Sequence, residues 1–163
     1  VNLLLRSCRG VSVTGNSFAS AFHRSIILDR CRHVVIGPNT FDHNPDYPGA
    51  RIDGITIRQS SGCTLSGLML EDTRAGSQES GGAIEVADSS EIAITGCQVL
   101  DPAHRGIDLS NTRNCRVADC TILDRRPAPT MRDAIRMHGR HDNNMIQQNL
   151  LGKGTRADLH IEE

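Results

Sequence analysis

The chain has 163 residues, of which 37% are hydrophobic and 2% aromatic, with no Trp, one Tyr and three Phe. That is the length of one domain, and its core must be aliphatic, which disfavours folds built around large rings such as the immunoglobulin sandwich. Eighteen basic against nineteen acidic residues give a formal net charge of −1; this leaves no electrostatic footprint for nucleic acid, and no run of about 18 apolar residues is there to span a membrane.

The cations are lopsided: Lys153 is the single lysine and the other 17 are arginines, the side chain that grips carboxylates with two parallel hydrogen bonds. The chain opens at Val1 with neither an initiator Met nor a charged-then-apolar leader, so it reads as a piece of a longer protein. Six cysteines (Cys8, Cys31, Cys63, Cys97, Cys115 and Cys120) fall below the density of a disulfide scaffold, form no CxxC pair and lack zinc spacing.

From the N-terminus onward the sequence repeats. The segment LLLRSCRGVSVTGNSF at residues 3–18 returns as IILDRCRHVVIGPNTF at residues 26–41, with Cys8 over Cys31, Asn16 over Asn39 and Phe18 over Phe41. The frame continues as ITIRQSSGCTLSGLML from Ile55, IEVADSSEIAITGCQV from Ile84 and IDLSNTRNCRVADCTI from Ile107. A further copy from Ile135 takes one inserted residue, and another begins at Leu159. Within each copy the apolar residues pair two apart, as in Ile84/Val86, Ile92/Ile94 and Cys97/Val99, which is the period of strands and not of helices. Gly, Asn, Ser and Asp between the pairs mark corners.

A unit of three strands and three corners cannot bury its apolar face alone, so successive units must stack and pair in parallel. The expected fold is all-β: one domain over residues 1–163, a parallel β-helix solenoid of about six coils, each of roughly 22 to 29 residues with three short strands. At a strand spacing of about 4.8 Å the rod is roughly 29 Å long. Two readings of the stacked cysteines stand open, disulfides between rungs or buried thiols; parallel rungs favour thiols, because their side chains point the same way and not at each other. The Asn16/Asn39 stack reads first as a turn ladder of amide hydrogen bonds.

This repeat resembles the right-handed parallel β-helix superfamily of pectate-lyase-like proteins, which, with the general handedness of parallel connections, implies a right-handed coil. The resemblance selects no reaction, since the fold hosts lyases, hydrolases, epimerases, phage adhesins and non-catalytic surface proteins. In its enzymes the substrate groove generally lies along one strand face. Here the outward positions of each coil's first strand form two columns. One runs Leu4, Ile27, Thr56, Glu85, Asp108, Arg136, His160, and the other Arg6, Asp29, Arg58, Ala87, Ser110, His138, Glu162. Neighbours would stand about 5 Å apart up the rod and about 7 Å along a strand. Three long connections, residues 42–53, 71–82 and 124–133, are expected to wall this strip, and the short one at residues 100–106 to leave an opening.

That short connection carries Asp101, Pro102 and His104, which resemble the Asp-Pro-His motif of the β-helix mannuronan epimerases. In that family the aspartate and histidine flank a proton beside a uronate carboxyl group, while a cation or acid neutralises the carboxylate. Here Ala103 separates Pro102 from His104, and the one tyrosine, Tyr47, lies in a distant loop. The expected catalytic residues are Asp101, His104, Asp108, Arg136 and His138, and the expected substrate-binding residues Arg58, Glu85, Arg105 and His160. The alternatives are a turn in which Asp101 caps backbone amides, and a strip that is only a solvated sheet face.

Two functions remain open. One is a secreted, periplasmic or cell-surface enzyme, a lyase, epimerase or hydrolase acting on an acidic, uronate-containing polysaccharide. The other is a non-catalytic β-helix that binds, spaces or builds a surface structure. No cofactor is expected. A calcium ion would find Asp42, Asp46 and Asp53, which otherwise serve as turn residues. Neither end shows a capping helix, so further parent sequence or a second copy is expected to cover the ends of the solenoid.

Overall fold

The computed structural model describes residues 1–42, 46 and 52–162. Among the described residues three parallel sheets wind around one core, the first of seven strands and the second and third of six each. The first sheet is built from Leu3–Arg6, Ile26–Asp29, Ile55–Arg58, Ile84–Ala87, Arg105–Ser110, Asp133–His138 and Ala157–Ile161. Its register follows the sequence repeat: Leu3 pairs with Ile26, then Ile55, Ile84, Ile107, Ile135 and Leu159 in succession. Among the described residues these strands mark six coils and the start of a seventh. Among the described residues no helix is long and apolar enough to cross a membrane.

The two-residue alternation places both members of each apolar pair inside and the residue between them outside. Ile84 and Val86 are fully buried while Glu85 and Ala87 between and beyond them are half-buried. A fully buried Ile or Leu contributes about 2 kcal/mol of transfer free energy, so the stacked aliphatic ladder, and not ring packing, holds coil to coil. The exception is Phe18 over Phe41, stacked with centroids 5.0 Å apart and planes 13° from parallel. All six cysteines are free thiols, five of them buried, as the parallel-rung argument favours. They donate to backbone carbonyls, for example Cys31 Sγ to Leu5 O at 3.3 Å.

The corners obey the same stacking. After the first strand, Ser7, Arg30, Gln59, Asp88, Asn111 and Gly139 all take left-handed backbone, with φ from 49° to 70°. The asparagine stack is the expected ladder: Asn39 Oδ1 accepts from the Asn16 amide at 2.9 Å and its Nδ2 at 3.1 Å. Asn149 Oδ1 repeats the motif on the Cys120 amide at 2.9 Å. The connection at residues 42–53 lies mostly outside the described residues, whereas those at 71–82 and 124–133 are fully described.

Candidate functional site

The first sheet places Glu85, Asp108, Arg136 and His160 in one outward column, each paired across to the next. Ala87, Ser110 and His138 stand in the second. The strands Arg105–Ser110 and Asp133–His138 are six residues long, two more than the preceding ones. In that extension Arg105 pairs directly with Asp133.

Ion pairs lace this end of the strip together. Arg136 grips Asp108 with two bonds, Nε to Oδ1 at 2.7 Å and Nη2 to Oδ2 at 2.9 Å. The Gly81 amide donates to the same carboxylate at 2.7 Å. Arg105 Nε donates to Asp133 Oδ2 at 3.0 Å, and Arg156 adds two bonds to Asp133 at 2.7 and 2.6 Å. Burial opposes the charge on Asp108, yet the hydrogen bonds and charge of Arg136, the Gly81 amide and His138 outweigh it and hold its pKa below the usual carboxylate value. Burial depresses Arg105, with help from Arg136, against the pull of Asp108 and Asp133.

The guanidinium groups also hold down residues 77–81. Arg105 donates to Ser77 O at 2.9 Å and Gln78 O at 2.7 Å, Arg136 to Glu79 O at 2.8 Å, and Arg132 to Gln78 O at 3.1 Å. Carbonyls with no strand partner are thus satisfied by guanidinium groups, those of Arg105 and Arg136 buried. The loop roofs Arg105, Asp108 and Arg136, whose exposures are 0%, 2% and 4%.

The accessible edge lies beside this roof. His138 Nε2 is 3.3 Å from Asp108 Oδ1 and 3.0 Å from Arg136 Nη2. Glu162 Oε1 stands 3.3 Å from His160 Nε2, 3.6 Å from Arg156 Nη1 and 3.8 Å from Arg136 Nη1. The His138, His160, Arg156 and Glu162 side chains are 23%, 31%, 27% and 41% exposed.

Of the expected site residues, Asp108, Arg136, His138, Arg105 and His160 come together here. The others do not join them. Asp101 has left-handed backbone and accepts from Arg125 at its amide (2.6 Å), Nε (3.1 Å) and Nη2 (2.5 Å), a corner clamp that Glu71 shares. His104 is half-buried, and its Nδ1 is one of two buried side-chain atoms without a partner among the described residues. Burial first, then Arg105, lowers the His104 pKa. Glu85 is tied to Arg24 at 3.0 Å and to Thr56 at 3.1 Å, and Arg58 to Asp29 at 3.2 Å. Asp53 accepts from the Ala21 amide at 2.6 Å and the Ser25 hydroxyl at 3.3 Å, and no three His, Cys, Asp or Glu side chains among the described residues group to hold a metal.

Sequence reasoning passed over Asp133, Arg156 and Glu162 as site members. The repeat frame starts these strands at Ile107 and Ile135, so Arg105 and Asp133 read as loop ends. Their matching offset, two residues before each frame start, was the available signal.

A family profile described as the right handed beta helix region matches residues 2–157. No curated protein matches the chain by sequence. Among solved structures, a Parabacteroides merdae ATCC 43184 protein provisionally named a glycosyl hydrolase is 10% identical, with a TM-score of 0.40, over 85% of this chain and 80% of its own. The A-module of an Azotobacter vinelandii mannuronan C-5 epimerase is 11% identical, with a TM-score of 0.47, over 98% of this chain and 54% of its own. The chain thus spans about half the length of that module. With the profile covering nearly every residue and all three sheets parallel, the chain belongs to the right-handed β-helix family.

Proposed function

We propose that the protein acts on an acidic, uronate-containing polysaccharide outside the cytoplasm, by abstracting the proton beside the uronate carboxyl group. The observation that carries this reading is the edge where two part-exposed imidazoles, His138 and His160, and Glu162 stand over arginines fixed by buried carboxylates. Arg156, with Arg136 behind it, would neutralise the substrate carboxylate, so that the electron pair left by the proton can delocalise into it. One imidazole takes the proton. The pair then either expels the glycosidic oxygen, which a second group protonates, or recaptures a proton from the opposite face of the ring.

Hydrolysis is served less well. It needs a carboxyl group with a raised pKa as general acid, whereas Asp108 is buried, doubly bound to Arg136 and depressed. Beside the edge an open groove of about 800 Å³, lined by Gln59, Ser89, Asp88, Asn111, Arg113 and Arg140 among others, supplies the hydroxyl, amide and charged groups that hold sugars. A secreted, periplasmic or cell-surface location follows from such a substrate.

The test is ultraviolet detection of unsaturated products, together with solvent deuterium incorporation, on alginate and pectate. His138→Gln or His160→Gln is expected to lower the signal about a hundredfold or more. Full activity in both variants sinks the assignment. The second reading, binding without turnover, is favoured by the mutual pairing of Asp108, Asp133, Arg105 and Arg136; it predicts a silent assay with retained glycan binding.

A further inference from the structure

The first 41 residues contain five arginines and a single acidic residue, Asp29, although the chain as a whole carries a net charge of −1. Arg24 is buried against Glu85 and Thr56 on the face of the first sheet. The others stay out: Arg6, Arg9, Arg30 and Arg32 are exposed, and Arg58 from the next coil joins them. Three of these converge on one carboxylate. Asp29, whose side chain is 7% exposed, receives Arg6 Nε at 3.1 Å, Arg58 Nη2 at 3.2 Å and Arg30 Nε at 3.4 Å. The guanidinium side chains themselves remain 55%, 49% and 56% exposed.

One buried anion thus orders three cations from three rungs and leaves two positive charges uncompensated. Arg30 reaches the group from a left-handed corner position, φ 55°, a conformation that costs a non-glycine residue about 1 kcal/mol or more. Arg9 and Arg32 are bridged in register at the same corner and extend the positive surface. Guanidinium forks match carboxylate and sulfate oxygens, and preorganised cations lose less entropy on binding.

We infer that Arg6, Arg30 and Arg58, gathered on Asp29, form an anion-binding anchor for an acidic glycan, separate from the His138 edge. Counting rungs from Arg58 through Ala87 and Ser110 to His138 puts the two about 14 Å apart along the rod. The glycan assignment rests on the proposed function. It is favoured over nucleic acid because the chain has no Trp, one Tyr and three Phe, too few rings to stack bases, and an acid excess beyond the first two coils.

The experiment measures binding of galacturonate oligomers, heparin and duplex DNA by wild-type protein, by R6Q, R30Q, R58Q and their triple combination, and by R116Q. Arg116 is an equally exposed arginine on the second sheet, so its variant controls for net charge. Each anchor substitution is expected to weaken glycan binding about fivefold and the triple about a hundredfold, with a shallower salt dependence; R116Q should bind as wild type. The galacturonate and heparin arms separate carboxylate from sulfate recognition. Unchanged binding in the triple variant, or an equal loss in R116Q, overturns the anchor, and tighter binding of DNA than of either glycan overturns the assignment to a glycan. A silent turnover assay with binding lost in the triple variant removes the proposed catalysis and leaves the anchor standing.

Discussion

Arg105 has the largest fully buried side chain among the described residues, and its donors are divided between Asp133 and the carbonyls of residues 77–81. Breaking one side of a buried pair costs about 3 to 5 kcal/mol; here Asp133 keeps Arg156, and the cost falls also on the Ser77 and Gln78 carbonyls, which lose the Arg105 donors. Arg105→Met is expected to lower the unfolding free energy by that order, and Arg105→Lys by less, since lysine keeps the charge but loses the planar fork. Urea titration measures both. Equal stability in the methionine variant would show that the pair contributes nothing. The sequence displays this residue in LDPAHRG, as a candidate for binding substrate and not as a buried one. Its burial was illegible because it depends on where a non-repeating loop folds. By contrast, the outward column of Asp108, Arg136 and His160 was legible, since a period of two fixes it.

At the scale of the element, the connection after the strand Thr121–Leu123 is organised by one carboxylate. Asp124, with a fully buried side chain, accepts from Arg126 at 2.7 Å and from the Thr130 and Met131 amides at 2.7 and 2.8 Å. Burial opposes its charge, but Arg126 and those amides win and hold its pKa at about 2, below the ordinary 3.8. The folded-state value lies below the unfolded one, so the stabilisation is complete above pH 4 or so. It is lost as the pH falls towards about 2. Asp124→Asn should therefore cost about 2 kcal/mol at neutral pH and flatten the acid limb of the stability profile; an unaltered limb between pH 4 and 2 contradicts this account. In the sequence this loop showed its length and its Pro and Arg content, but nothing singled out Asp124 from its neighbours, because its partners lie two to seven residues ahead in irregular backbone.

For the molecule as a whole, the coils were readable because stacking repeats the same burial demand at each rung, and the apolar pairs record it. Charge does not repeat in that way. The group of Arg6, Arg30 and Arg58 on Asp29 stands on the first three coils and the Asp108–Arg136 lattice on the later ones, and neither arrangement follows from the frame. Strand pairing joins each coil to its neighbours, with a few arginines reaching across two coils, so interior coils are buttressed on both sides and outer ones on a single side.

The thiols give that inequality a readout. Cys8, Cys31, Cys63 and Cys97 sit one to a coil, and Cys115 and Cys120 share the fifth. Burial raises the pKa of Cys63 and Cys115, so in the closed state they are poor nucleophiles and react only when their rung opens. An alkylating pulse read by peptide mass would therefore time-stamp each storey of the rod separately. Cys8 should be marked first and Cys63 and Cys97 last, whereas a single shared rate would mean that the whole solenoid opens in one event.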